Sequence, residues 1–228
     1  MNVSYFNTGI YTIPYASRLT KVSAGRMRRW LRGYRYHDRD KTTRSLPPLW
    51  EGQWQPIDHT LALGFLDLVE IRFVDAFLKA GVTWTTLHRA RARAKELFKV
   101  SHPFSTNRFV TDGREILLET DGRSEQPSLL DIIPRQQVFA AIVKPLLRDL
   151  EYADGTVVRW WALGTDRGVV LDPTRNFGRP IIARHGFPTE VLSRAAGACD
   201  SVNEVASWFE VAQRDVEDAV EFERQLAA

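Results

Sequence analysis

An arginine-rich segment near the amino end carries the strongest chemical signal in the sequence. Within Ser23–Arg32, the apolar residues Met27, Trp30 and Leu31 recur at helical spacing and predict one buried helix face. The arginines are left for the opposite face, and a guanidinium can bind both O6 and N7 of a guanine. An exposed face of this kind predicts recognition of duplex DNA. The predicted DNA-binding residues of the segment are Ser23, Arg26, Arg28, Arg29 and Arg32.

A second short helix is predicted immediately before this segment. Ile13, Ala16 and Leu19 form one apolar stripe, Ser23 is a plausible N-cap for the following helix, and Gly33 a plausible C-cap. Two short helices joined by a tight turn are a helix-turn-helix, whose second helix enters the major groove. The alternating Tyr and polar residues after Gly33 indicate a hairpin or wing.

Further basic residues flank the arginine-rich segment. Arg18, Lys21 and Arg35 are placed as phosphate contacts, which position a protein on DNA without reading the sequence. Farther along, Thr85–Phe98 is a second basic amphipathic helix. Its inward residues leave Arg89, Arg91, Arg93 and Lys95 for the other side, and Arg89 and Arg93 are predicted DNA contacts. An ordinary solvated helix face is the alternative for both basic helices.

Charge is distributed unevenly along the 228 residues. Residues 1–60 carry ten Lys/Arg against four Asp/Glu, whereas residues 200–228 carry eight acidic residues against two basic ones. This pattern indicates that the N-terminal part of the chain, its front, binds phosphates. It also indicates that the C-terminal part, its rear, binds another partner, such as a basic protein.

Composition narrows the class of protein. No apolar run approaches the roughly 18 residues of a membrane span, so we expect no membrane partner. The start lacks the charged region of a secretory signal, and the single Cys199 excludes an internal disulfide and a Cys-rich zinc site. We therefore expect a cytoplasmic protein.

No persuasive catalytic constellation stands out. The five histidines are scattered without metal-ligand spacing, and a Gly-rich phosphate loop and a nucleophile elbow are both lacking. We expect no catalytic residues, no metal and no cofactor. A third hypothesis, from a different class of function, is a nucleic-acid-processing enzyme that uses carboxylates scattered along the sequence.

The expected fold is mainly α with short β-hairpins. A winged helix-turn-helix DNA-binding region occupies residues 1–120, a linker with a connecting helix or strand occupies 121–165, and a small helical partner-binding domain, preceded by a β-hairpin, occupies 166–228.

Individual elements are predicted within these parts. A hairpin is expected at Phe109–Thr111 and Ile116–Glu119, a helix over Leu129–Tyr152 interrupted at Pro145, and strands at Thr156–Leu163 and Val169–Leu171. Three short helices should close the chain.

The front of the chain resembles the MerR-like winged helix-turn-helix, and especially the DNA-binding domain of VapB-type antitoxins. The residues that carry this resemblance are Tyr11–Pro14, Ala16, Leu19, Val22–Ser23, Arg29–Leu31 and Gly33–Tyr34.

The rear resembles a small helical family found in toxin–antitoxin loci. The matching residues are Val170–Pro173, Gly178–Ile182, Pro188–Thr189, Ser201–Ala206 and Val216–Phe222. One departure is that Ala183–Gly186 stands where the usual module has Gly-Thr-Arg.

The resemblance implies an antitoxin that binds its own operator as double-stranded DNA and neutralises a cognate PIN-domain ribonuclease toxin of the VapC type. We expect it to act as a homodimer. The alternative is a stand-alone DNA-binding transcriptional regulator whose rear binds a ligand or mediates dimerisation.

Overall fold

The computed structural model describes residues 7–37, 43–57, 59–109, 142–199 and 201–228. The chain divides into two compact units. The front unit spans residues 11–144, and the rear unit combines residues 1–10 with 145–228. The described residues are mainly helical with short β-hairpins, as expected. The division at residues 120 and 165 stays a prediction.

The front unit begins with a strand and two short helices. Strand β1 is Tyr11–Thr12, helix α1 is Ile13–Thr20 and helix α2 is Ala24–Arg32. The apolar stripes predicted for the two helices are the buried ones. An antiparallel hairpin follows, formed by β2 (Tyr34–His37) and β3 (Thr43–Leu46).

The core of the front unit is built on a buried helix. After β4 (Ala62–Leu63), which pairs with β1, come α3 (Phe65–Lys79) and α4 (Trp84–Phe98). Helix α3 is buried on almost every side. Two rings of α3, Phe73 and Phe77, pack with those of Phe104 and Phe109. All four are buried, and their centroids are 4.4 to 6.4 Å apart.

The rear unit contains a four-stranded antiparallel sheet. Its strands occur in the order β5 (Leu150–Ala153), β6 (Thr156–Trp161), β7 (Val169–Leu171) and β8 (Ile181–Ile182). The predicted hairpin corresponds to β6 and β7, while both outer strands escaped prediction.

Three helices complete the rear unit: α5 (Thr189–Ala198), α6 (Val202–Phe209) and α7 (Gln213–Ala227). Their small core contains Val205, Ala206 and Val216. Helix α7 is capped at its N-terminus by Asp215, whose carboxylate accepts a hydrogen bond from the backbone N–H of Ala212 at 3.3 Å. Three helices were expected here.

Two predictions fall wholly or partly outside the described residues. Most of the hairpin predicted around Asp112–Gly113 lies there, as does most of the helix predicted over Leu129–Tyr152. The end of that helix prediction is wrong: residues 142–147 are helical through Pro145, but Leu150–Ala153 is a strand.

Candidate nucleic-acid interface

The turn between α1 and α2 is set by local hydrogen bonds. The Thr12 hydroxyl accepts the N–H of Tyr15 at the start of α1, and the Ser23 hydroxyl accepts the N–H of Arg26 at the start of α2, each at 3.4 Å. Helix α1 ends where Lys21 adopts a left-handed conformation with φ of 57°. These contacts fix α2 directly after α1. The Ser23 side chain, a predicted DNA contact, therefore serves as a helix cap here.

One stripe of α2 faces solvent. Because successive residues of a helix are rotated by about 100°, Gly25, Arg28, Arg29 and Arg32 lie within one band opposite the buried face. All four are exposed. A Cβ placed on Gly25 would meet nothing within 4 Å. The sequence predictions included the three arginines but missed the glycine between them.

The side chains of this stripe lie along the helix surface. The Arg29 guanidinium lies 5.9 Å from the Tyr34 ring centre, and Arg32 donates from Nη2 to the carbonyl oxygen of His59 at 3.3 Å. No ion pair involves Arg28 in the part of the chain that the structure describes. Within the described residues, the stripe therefore presents exposed cations on one side of α2.

Arg26 is placed differently from the other arginines of α2. Its Nη1 lies 2.5 Å from Oδ1 of Asp75 on α3, and its guanidinium lies 4.9 Å from the Trp30 ring centre. Asp75 also pairs with Lys79 at 2.8 Å. Arg26, which was predicted to contact DNA bases, is therefore paired with a carboxylate of the same unit.

The remaining predicted contacts are all exposed. Arg18 lies 5.3 Å from the Tyr15 ring centre in the last turn of α1, beside Lys21, and Arg35 lies on β2. On α4, Arg89 and Arg93 are exposed, and Arg93 pairs with the neighbouring Glu96 at 3.3 Å.

The outward placement of Arg91 was wrong. Its side chain is buried and donates from Nε to Glu70 at 3.1 Å, from Nη1 to the carbonyl of Leu49 at 3.2 Å, and from Nη2 to the carbonyl of Ser101 at 2.5 Å. Arg91 therefore ties α3, α4 and two loops together, so its role is structural.

Glu70, the buried partner of Arg91, has an altered pKa. Complete burial raises the pKa of its carboxyl above the ordinary value, and attraction to Arg91 and His102 offsets part of that change. The backbone N–H groups of Phe104 and Ser105 also donate to Oε1, at 2.7 and 3.3 Å. These hydrogen bonds fix the position of the Glu70 carboxyl in the core of the front unit.

Asp67 lies in the same buried layer. It accepts hydrogen bonds from the Trp50 indole at 2.9 Å and the Gly64 N–H at 2.8 Å, and Nε2 of His102 lies 2.9 Å from it. Nδ1 of His102 lies 2.9 Å from the Ser101 hydroxyl. The histidine is 4% exposed and both its nitrogens are engaged, so this arrangement fits a polar core. Sequence reasoning missed it.

The rear unit contains a buried aspartate, Asp172. It receives 2.9 Å contacts from Nε of Arg159 and the N–H of Thr174, and 2.6 Å from the Thr174 hydroxyl. Burial alone would raise the pKa of Asp172, but the Thr174 and Arg159 contacts outweigh it and hold the pKa below its ordinary value.

Helix α6 of the rear unit exposes a large aromatic side chain. Trp208 is 62% exposed, and Glu204 lies one turn before it on the same helix face and is also exposed. The face therefore combines a large apolar group with a negative charge.

Metal-ligand clusters and membrane-spanning helices are both absent from the described residues. Across those residues, no three His, Cys, Asp or Glu side chains come together as metal ligands. In the same residues, every helix falls short of the length and hydrophobicity that a bilayer crossing requires.

Similarity to known proteins extends over nearly the whole chain. No protein-family model matches it. A protein of Mycobacterium tuberculosis (strain ATCC 25618 / H37Rv) named "Putative antitoxin VapB45" is 28% identical over 95% of this chain and 94% of its own length. The resemblance to VapB-type antitoxins is thereby confirmed. The MerR-like character of the front stays a prediction.

A solved structure shares the fold. The crystal structure of Rv2018 from Mycobacterium tuberculosis matches with a TM-score of 0.69 and 21% identity, covering 94% of this chain and 99% of that one. At this identity the likeness establishes the fold alone.

Proposed function

We propose that this protein is an antitoxin that represses its own operon by binding operator DNA and that neutralises a cognate PIN-domain ribonuclease through its rear unit. The observation that carries the DNA-binding part is the exposed stripe of Gly25, Arg28, Arg29 and Arg32 on α2. The similarity to a protein named as an antitoxin supports the rest.

In this proposal α2 is the recognition helix and the β2–β3 hairpin is a wing beside it. Arg28 and Arg29 reach base edges from the exposed stripe, while Arg32 meets the phosphate backbone. Gly25 leaves room for close approach of the helix to the groove, because it carries no side chain.

Arg26 has a supporting role in this interface. Its ion pair with Asp75 and its stacking on Trp30 fix the rotation of α2 relative to α3. The predicted phosphate contacts Arg18, Lys21 and Arg35 flank α2 in sequence, and Arg89 and Arg93 on α4 extend the basic surface in the same proposal.

The rear unit is the proposed toxin-binding part. Trp208 offers the kind of exposed aromatic anchor that dominates protein interfaces, and Glu204 on the same helix face favours a partner with basic groups around an apolar pocket. The protein acts in the cytoplasm as a homodimer, without a catalytic group, metal or cofactor of its own.

A DNA-binding assay tests the first half of the proposal. A labelled duplex from upstream of the gene is titrated with the wild-type protein and with the Arg28→Ala/Arg29→Ala double variant. We expect affinity to fall at least about 30-fold, since two arginines are removed and each good arginine–guanine pair is worth about 1–3 kcal/mol. Wild-type affinity should also fall steeply as salt increases.

The matched control is Arg194→Ala, which removes an exposed arginine from α5 of the rear unit. It should leave DNA affinity within about twofold, because α5 carries none of the proposed DNA contacts. Equal binding by the double variant and the control would contradict the assignment of α2 as the recognition helix.

One observation favours the alternative, a regulator with a ligand-binding rear. The rear unit contains an open cleft of about 280 Å³ lined by Arg167, Arg184, Asp215 and neighbouring side chains. Co-expression with the adjacent reading frame separates the two functions. The antitoxin forms a complex that pulls down the adjacent product and rescues growth, whereas a regulator of unrelated genes does neither.

A further inference from the structure

Arg29 differs from the other arginines of α2 in how its guanidinium is held. The group lies over the Tyr34 ring, 5.9 Å from the ring centre, which is within the range of a cation–π contact. Such a contact engages the flat face of a guanidinium. The N–H donors point outward in the plane of the group and remain available for a bidentate contact. The ring can therefore orient Arg29 without occupying its donors.

Two other arginines of α2 use donors within the protein. Arg26 binds the Asp75 carboxylate through Nη1, and Arg32 donates from Nη2 to the carbonyl oxygen of His59. No carboxylate pairs with Arg29 in the parts of the chain that the structure describes. Among the described contacts of α2, Arg29 therefore combines a restrained side chain with an N–H edge that the protein does not engage.

The Tyr34 ring is anchored at the junction of α2 and the hairpin. Tyr34 is the first residue of β2 and lies opposite Leu46 of β3. Gly33, immediately before it, packs so closely on the chain that a Cβ would strike the Leu46 carbonyl oxygen. The N–H of Leu49 also donates to the carbonyl of Trp30 in α2 at 2.7 Å. These contacts fix the start of the hairpin against the end of α2, and they fix the position of the ring with it.

We propose that Tyr34 is a positioning residue of the recognition helix, whose ring holds the Arg29 guanidinium so that its N–H edge reads a guanine. This inference rests on the proposed DNA-binding function of α2. Ordering a long side chain on binding costs free energy, and a side chain that is already ordered avoids that cost. No ring among the described residues lies under Arg28. Base discrimination by Arg29 should therefore depend on Tyr34, and discrimination by Arg28 should not.

Base-pair discrimination in operator binding tests this role. A duplex from upstream of the gene is titrated with the full chain, and each G·C pair is replaced in turn by A·T. Arg29→Ala identifies the pair that Arg29 reads, because discrimination there disappears. At that pair Tyr34→Leu should lower the discrimination ratio about 3- to 10-fold, which corresponds to the cost of ordering one long side chain. Tyr34→Phe, which keeps the ring, should stay within about twofold of the wild type.

Two further measurements separate positioning from a loss of folding. Tyr34→Leu should have no added effect on discrimination in the Arg29→Ala background. The salt dependence of affinity should keep the wild-type slope, because Tyr34→Leu removes no phosphate contact. A partly unfolded variant would instead bind every duplex more weakly at an unchanged ratio. Circular dichroism checks the fold, and Tyr34→Thr, whose branched side chain favours a strand, retains the test if Tyr34→Leu unfolds.

The matched control is Tyr15→Leu on α1. The Tyr15 ring centre lies 5.3 Å from the Arg18 guanidinium, so this substitution removes the same kind of contact. Arg18 is a proposed phosphate contact, and such contacts carry no sequence information. Discrimination at every base pair should therefore stay within about twofold of the wild type.

The contact itself is measured on the free protein. The ring current of Tyr34 should shift the NMR signal of the Arg29 Nε–H upfield, and Tyr34→Leu should remove this shift. An Arg29 signal that is the same in both proteins would overturn the positioning contact. Wild-type discrimination in Tyr34→Leu would overturn the inference and leave the DNA-binding proposal intact, whereas a wild-type protein that binds no operator duplex would overturn both.

Discussion

Arg26 on α2 and Asp75 on α3 are joined by an ion pair that links the basic helix to the core helix beneath it. Nη1 and Oδ1 lie 2.5 Å apart, and the Asp75 side chain is 8% exposed. Among the described residues, Oδ1 accepts no hydrogen bond of normal direction, so the attraction is mainly coulombic. The ion pair adds to the packing of the buried face of α2, which is formed by Met27, Trp30 and Leu31.

A double-mutant cycle measures the strength of the pair. We expect Arg26→Ala and Asp75→Ala each to lower the free energy of unfolding, and the double variant to lose about 1 kcal/mol less than the sum, because the second change has no pair left to break. Urea denaturation of the four proteins gives these values. Additive losses would show that the pair contributes nothing.

Substitutions at Gly25 should affect the stability of α2 and its proposed DNA contact in different ways. Gly25→Ala should raise the stability of the protein by up to about 1 kcal/mol, because alanine favours helix and its Cβ meets no neighbouring atom. Gly25→Leu should retain the fold but weaken DNA binding at least about fivefold by filling the approach to the groove.

The control for Gly25 is Gly33, which follows α2. Its φ is +70°, and a Cβ there would approach the carbonyl oxygen of Leu46. Gly33→Ala should therefore lower both stability and DNA binding. If Gly25→Leu binds DNA like the wild type, the proposed face of α2 does not enter the groove.

Arg91 should be essential to the fold of the front unit. Arg91→Met leaves Glu70 buried without its cation, so we expect a loss of about 3–5 kcal/mol in the free energy of unfolding. The control Arg89→Met, two positions earlier and exposed, should change it by less than about 0.5 kcal/mol. Similar losses in the two variants would contradict the burial of Arg91.

Acid should destabilise the rear unit through Asp172. Its pKa in the folded state lies below the ordinary value of 3.8. Its stabilising contribution is therefore complete above that pH and is lost as the pH falls through the folded pKa. Asp172→Asn should lower stability near neutral pH and reduce its dependence on pH below about 4.

The control for Asp172 is Asp154→Asn in the turn between β5 and β6, where the residue is exposed with φ of 49°. Asparagine accepts this conformation, so both the stability and the acid dependence should follow the wild type. Thermal unfolding from pH 2.5 to 7 makes the comparison. A common acid dependence in all three proteins would rule out a specific contribution from Asp172.

Trp208 should dominate toxin binding if the rear unit is the antitoxin surface. Trp208→Ala should weaken the complex with the adjacent gene product at least about 30-fold, equivalent to about 2 kcal/mol, without lowering stability. Calorimetry of the purified pair measures this. Phe177→Ala, at another exposed aromatic of the rear unit, is the comparison. Full affinity in the Trp208 variant would place the interface elsewhere.

Local signals were enough to predict the helices. The apolar spacing in α1 and α2 and the caps at Ser23 and Gly33 depend on residues a few positions apart, and the structure follows them. The strands that pair with distant partners were harder to predict. β5 was taken for the end of a helix, although Asp154–Gly155 is a two-residue turn signal between β5 and β6.

The positions of individual arginines on a helix were predictable only in part. Arg89 and Arg93 are separated by four residues and share a face, but Arg91 between them is rotated by about 200° from each. Helical geometry alone would have indicated its burial. Its partners could not be inferred, because Glu70 and Leu49 are brought to it by the tertiary fold.

Leu49 links two helices through both of its main-chain groups. Its N–H donates to the carbonyl of Trp30 at 2.7 Å, and its own carbonyl accepts from Arg91. Pro47 and Pro48 come directly before Leu49, and neither has an N–H or much torsional freedom. A displacement of β3 should therefore reach α2 and α4 together, through the two main-chain hydrogen bonds of Leu49.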